Sequence, residues 1–138
     1  MDPPAPDQML EWATSGGHVV KGLFRQGGGD GMSLVWSRFG PNYPLPRHSH
    51  SADCLYYVVS GEARMGNRRI GPGAGCFVPA GAPYAYTAGP EGIEILEFRS
   101  ASSFDMQITE NLERWDRIVA TVREHKDDWA ANDASEPG

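Results

Sequence analysis

Residues 40–61 read GPNYPLPRHSHSADCLYYVVSG, and residues 73–88 read GAGCFVPAGAPYAYTA. In the first stretch a Pro-rich loop runs into His48-Ser49-His50, and a run of strand-forming residues from Cys54 to Val59 ends at Gly61. Side chains at i and i+2 of an extended segment project from one face, so the two imidazoles converge on one point. They are two of only four histidines in the chain, and imidazole suits zinc, iron, copper or nickel. The pair is a candidate metal site that needs further ligands.

The same turn-dense texture extends in both directions. Val19–Arg25 and Met32–Phe39 flank a loop at 26–31 and read as a hairpin, Gly66-Asn67 turns between two short strands, and Ile93–Phe98 is the last clear strand. Strands about ten residues apart with turn chemistry at each break predict an all-β sandwich or barrel rather than βαβ units. Leu55–Val59 is apolar at both parities, which predicts a strand buried on both faces. Gln8–Ser15 reads as a short helix around Leu10 and Trp12. Beyond Thr109, a candidate N-cap, the period changes to 3.6, and Leu112, Trp115, Ile118, Val119, Val122, Lys126 and Trp129 share one helical face. That stripe calls for packing against the barrel or against a second subunit.

At 138 residues the chain has room for one domain. Its 17 glycines and 11 prolines fall short of a low-complexity composition, and nine and seven of them respectively lie between Gly40 and Gly92. The net charge of -6 is concentrated after residue 100, which leaves the body of the chain nearly neutral. Without a basic cluster beyond Arg68-Arg69, nucleic acid is excluded as a partner. The first residues lack the basic and apolar segments of a leader, and there is no apolar run of about eighteen residues. These features, with only two cysteines, predict a cytoplasmic protein in a reducing compartment and no membrane partner.

Further ligands are sought close by. Cys54 lies four residues past His50 and shares strand parity with Tyr56 and Val58, so it points inward, whereas Asp53 takes a turn role. Cys54 reads equally as a thiolate ligand or a small buried hydrophobe, and Cys76 offers it a disulfide partner. Trp36, Tyr56, Tyr86 and Phe98 lie on strands expected to line the barrel, where they are candidate substrate contacts. Arg38, Arg47, Glu94 and Glu97 are the charged residues on or beside these strands. A glutamate facing inward is the best general-base candidate.

The stretch from Gly40 to Ala88 resembles the cupin superfamily, whose motifs run G-x5-H-x-H-x3,4-E-x6-G and G-x5-P-x-G-x2-H-x3-N. His48, His50 and Gly61 match the first motif, after Gly40 with a longer spacer, and Gly73, Pro79 and Gly81 match the second. Cys54 stands at the family's glutamate, Tyr84 at its third histidine and Ala88 at its asparagine. The resemblance implies an antiparallel double-stranded β-helix, or jelly-roll barrel, followed by a C-terminal α-helix. It divides the chain into an arm (1–17), a barrel (18–108), an amphipathic helix (109–131) and a flexible tail (132–138).

It also implies one divalent transition metal (Fe, Zn, Cu or Ni) on His48 and His50, with Cys54 and Tyr84 as the positions for ligation or proton transfer. A thiol and a phenol on one site also allow the covalent link of a thiol dioxygenase branch. The implied activity is that of a metal-dependent enzyme, of oxygenase, isomerase or lyase type, acting on a small organic molecule, in a homodimer. The departures at two ligand positions keep open a binding module that has lost part of its metal site.

Overall fold

Short β-prone runs separated by Gly- and Pro-rich turns form the expected barrel. The computed structural model describes residues 6–27, 31–102 and 105–131. Helix α1 (Pro6–Ala13) precedes β1 (His18–Gln26), β2 (Met32–Phe39), β3 (Pro44–Ser49), β4 (Cys54–Met65), β5 (Arg68–Ile70), β6 (Gly75–Val78), β7 (Tyr84–Arg99), β8 (Gln107–Ile108) and helix α2 (Leu112–Ala131). The strands form one antiparallel sheet in the order β1-β2-β7-β3-β8, with β4 pairing β5, β6 and β7. Strand β7 organises it: its first turn of residues pairs with β3, its second half with β2, and β4 follows it along much of its length. The sheet curls so that Val35 and Phe39 of β2, Tyr56 and Val58 of β4, and Tyr86, Ile93 and Ile95 of β7 share a buried interior.

The hairpin of β1 and β2 forms as predicted, with a register shift between Gly22 and Phe24. Strand β4 departs from its predicted burial. Cys54, Tyr56 and Val58 are buried, but Leu55, Tyr57 and Val59 are 51%, 45% and 42% exposed. The double parity of the run therefore records an apolar outer face and not a second covered one. Residues 28–30 of the expected loop, the start of the arm (1–5) and the tail (132–138) lie outside the described residues.

Helix α2 starts two residues later than Thr109 suggests. Asn111 is its cap, accepting at Oδ1 from the Arg114 amide at 2.9 Å, while the Thr109 amide bonds to the Arg47 carbonyl. The stripe Trp115, Ile118, Val119, Val122 and Trp129 is buried, and each such large side chain contributes about 1.5–3 kcal/mol. It packs on its own barrel and on α1: Trp115 meets Trp12 edge-on at 6.1 Å, and Trp129 lies 5.2 Å from the Tyr43 ring while its Nε1 donates to Pro41 O. Gly40 makes this seat, since a Cβ there would stand 2.5 Å from the Trp129 ring. At Gly61, φ is +75° and a Cβ would meet Gly92 O at 2.1 Å, so this turn accepts only glycine. No helix among the described residues is long and apolar enough to cross a membrane.

Candidate metal centre

Three strands deliver the polar side chains to one end of the barrel. His48 on β3 pairs with Tyr84 on β7, and on β4 Cys54 and Tyr56 pair with Arg99 and Glu97 of β7. These registers put all six on the inner face. His50 follows directly after β3. The ligand atoms of His50, Cys54 and Glu97, all buried, lie within 4.8 Å of one another, the spacing of groups able to close around one ion. The His48 ring stands beside them, 4.9 Å from the His50 ring and 4.3 Å from the Tyr84 ring.

Hydrogen bonds orient both imidazoles. His48 Nδ1 donates to Pro46 O at 2.8 Å and His50 Nδ1 donates to Asp105 O at 2.5 Å. This fixes the tautomer, so each Nε2 presents its lone pair, which is the arrangement that supports a metal-binding histidine. Burial pushes the His48 pKa down to about 4, so it is neutral and ready to ligate at neutral pH. Burial, and then the Glu97 charge, push the Cys54 thiol up to about 11, so the thiol holds its proton until a cation displaces it.

Glu97 is the residue that sequence reasoning did not place among the ligands. Its Oε1 lies 3.9 Å from His50 Nε2. Arg99, two residues along the same face and 2% exposed, holds the other oxygen: Nε donates to Oε2 at 2.6 Å, and its Nη2 also pairs with Oε2. Strand parity carries the signal, because Glu97 shares the parity of the buried Ile93 and Ile95. Glu94 has the opposite parity and accepts from Trp36 Nε1 at 2.7 Å. The pleat thus separates the two glutamates, and Glu97 is the one that faces the cavity.

Tyr84 lies between the histidines and Tyr56. Its hydroxyl is 3.1 Å from His50 Nε2 and also bonds the Tyr56 hydroxyl, which in turn bonds Glu97. Burial raises both phenols well above their ordinary range, so both are neutral donors. Cys54 and Cys76 are both free thiols, with Cys76 facing Tyr56 in the β4–β6 ladder. Asp53 takes the turn role, accepting at Oδ1 from the Ala80 amide at 2.8 Å.

A cavity of about 180 Å³ opens onto this cluster, with His48, His50, Tyr56, Tyr84, Tyr86, Glu97 and Arg99 in its walls. Phe39, Tyr43 and Trp12 line it further along, and Trp12 comes from α1. Trp36 and Phe98, of outward parity, are not in its lining. Trp36 is buried under the sheet's outer face, and Phe98 is 38% exposed.

The arrangement matches known barrels. DMSP lyase DddQ from Ruegeria pomeroyi superimposes with a TM-score of 0.58 at 24% identity, over 67% of this chain and 51% of that one. This chain has the cupin fold. The polyketide cyclase RemF from Streptomyces resistomycificus gives 0.57 at 19% identity over 70% of this chain and 74% of the cyclase. KdgF from Halomonas sp. gives 0.54 at 23%, over 64% and 82%. This chain spans about half the length of the DddQ lyase it matches. No family model and no curated protein matches its sequence.

Proposed function

We propose that this cupin is a mononuclear metalloenzyme that acts on a small organic molecule held in the barrel cavity. The observation that carries the reading is that His50, its Nδ1 held by Asp105 O, brings Nε2 to 3.9 Å from Glu97 Oε1 in a cluster that Cys54 completes. The donor set fits a borderline-soft divalent ion: one thiolate, one carboxylate and imidazole favour zinc or iron over magnesium or calcium. His50, Cys54 and Glu97 would hold it, with His48 beside them and the fourth position left to the substrate. Bound there, the ion supplies Lewis acidity toward a substrate oxygen.

The chain's own residues supply the rest. Arg99 fixes one oxygen of Glu97 and leaves the other turned to His50. Tyr84, neutral and in contact with His50 and Tyr56, holds a proton at the mouth of the cluster and is the residue placed to give or take it from a bound molecule. Trp12, Phe39 and Tyr43 exclude water from the far wall. This supports proton-transfer chemistry of lyase or isomerase type ahead of oxygenation. Lyase and cyclase activities occur among the proteins of similar fold named above, in keeping with the reading.

A second reading, a binding module without turnover, draws on the same hydrogen bonds. Tyr84 satisfies His50 Nε2, and Tyr56 satisfies Glu97, so the cluster closes on itself through neutral hydroxyls. Metal analysis separates the two. Untagged protein, repleted with zinc or iron and desalted, holds one ion per chain under the enzyme reading and loses it in His50→Ala. Metal-free protein after repletion favours the binding module. We further infer a homodimer joined through the exposed row Phe77, Leu55 and Phe98, and a cytoplasmic setting in which both thiols stay reduced.

A further inference from the structure

We propose that the substrate is a small, flat, singly charged anion, a carboxylate or an enolate on an unsaturated frame, whose oxygen is received by the Tyr84 hydroxyl. This inference rests on the metal reading above and deepens it. It starts from a count of donors and acceptors. The two hydroxyls carry two protons, and the acceptors they touch are each other, His50 Nε2 and Glu97. Once His50 Nε2 and Glu97 Oε1 serve as ligands, the first acceptor is gone. Tyr56 keeps Glu97 as its acceptor, because a carboxylate oxygen that holds an ion still has a lone pair to offer.

Tyr84 O–H, which lines the cavity, then has only the neutral Tyr56 oxygen to donate to. A charged oxygen on a guest is a stronger acceptor than a neutral phenol, so the Tyr84 O–H turns to it. Charge points the same way. A divalent ion with Arg99 outweighs one carboxylate and one thiolate by a single positive charge, and that surplus favours one negative charge on the guest.

Shape supplies the rest of the class. At about 180 Å³ the cavity is smaller than the sites of drug-sized ligands, roughly 300 Å³ and above, and suits one six-membered ring with a short substituent. Its walls are flat: Phe39 stacks on Tyr43 at 5.0 Å and 27°, and Tyr84 lies near-parallel to Tyr86 at 22°. Such faces favour a planar, polarisable guest over a puckered one.

The test is calorimetric titration of the zinc-loaded full-length chain with benzoate and with benzamide, a neutral molecule of nearly the same shape, so that turnover is not needed. Benzoate is expected to bind at least about tenfold more tightly than benzamide. Tyr84→Phe, with its zinc content measured in parallel, is expected to remove most of that preference while keeping one zinc per chain. Zinc-loaded wild type that binds the two probes equally, or a Tyr84→Phe variant that keeps both zinc and the full preference, overturns this inference and leaves the metal reading standing. A chain that takes up no zinc overturns both.

Discussion

The Oε1 of Glu97 stands 3.9 Å from Nε2 of His50, although 47 residues of chain separate them. In the cupin motif a glutamate four or five residues past the second histidine stands at the site. Here that position is Cys54, and Glu97 arrives at the same cluster from β7, held in orientation by Arg99. The carboxylate is supplied from a different strand.

If Glu97 is a ligand, Glu97→Gln keeps its shape and removes its charge. Zinc affinity, measured by competition with a chromogenic chelator at a temperature where both proteins are folded, is expected to fall at least about tenfold, and the metal-free variant to unfold at a lower temperature because the buried Arg99 loses its counter-charge. Unchanged affinity makes Glu97 a spectator.

The Arg99–Glu97 pair is almost wholly buried, so removing one partner strands a charge. Arg99→Met is expected to cost about 3–5 kcal/mol in chemical denaturation, and the double variant Arg99→Met/Glu97→Met to recover much of the loss. Equal destabilisation in the single and double variants contradicts this.

His48 sets a pH dependence of stability. Its folded pKa is about 4 against an ordinary value near 6.5, so below pH 6.5 the unfolded chain takes up a proton that the folded chain refuses. Stability is therefore lost as pH falls from about 6.5 to about 4, by on the order of 3 kcal/mol. In metal-free His48→Asn, denaturation curves across that window are expected to be correspondingly flatter than wild type.

The seat of α2 also predicts a cost. Gly40→Ala places a methyl against Trp129, and overpacking of this kind costs about 1–3 kcal/mol. Pairing it with Trp129→Leu is expected to return part of the loss, as measured by the midpoint of thermal unfolding.

On the outer face, Phe77, Leu55 and Phe98 are register partners across β6, β4 and β7. Leu55→Lys is expected to convert a dimer to a monomer in light scattering with no change in circular dichroism. A wild-type protein that is already monomeric at tens of micromolar rules the homodimer out.

Much of this was legible in the sequence because turns are local. Gly73, Pro79 and Gly81 mark barrel corners, period-two parity paired His48 with His50 and turned Cys54 inward, and the motif position pointed to Tyr84. What parity cannot supply is register between distant strands. The β4–β7 ladder sets Tyr56 opposite Glu97, a pairing across 41 residues, and only that ladder shows which glutamate joins the histidines. Burial was misjudged at Leu55–Val59 because an apolar outer face and a covered one have the same composition. The helix start moved from Thr109 to Asn111 because the backbone of Thr109 is engaged by Arg47.

The central claim is that Cys54 joins His50 and Glu97 on one ion, and cobalt substitution tests it most directly. Titration of the metal-free chain with Co²⁺ is expected to raise a near-ultraviolet thiolate charge-transfer band that saturates at one equivalent, together with visible bands of four-coordinate cobalt. Cys54→Ser is expected to lose the first and keep weakened forms of the second. A wild-type protein that binds one cobalt without any thiolate band contradicts the ligand set, and one that binds none contradicts the metal centre.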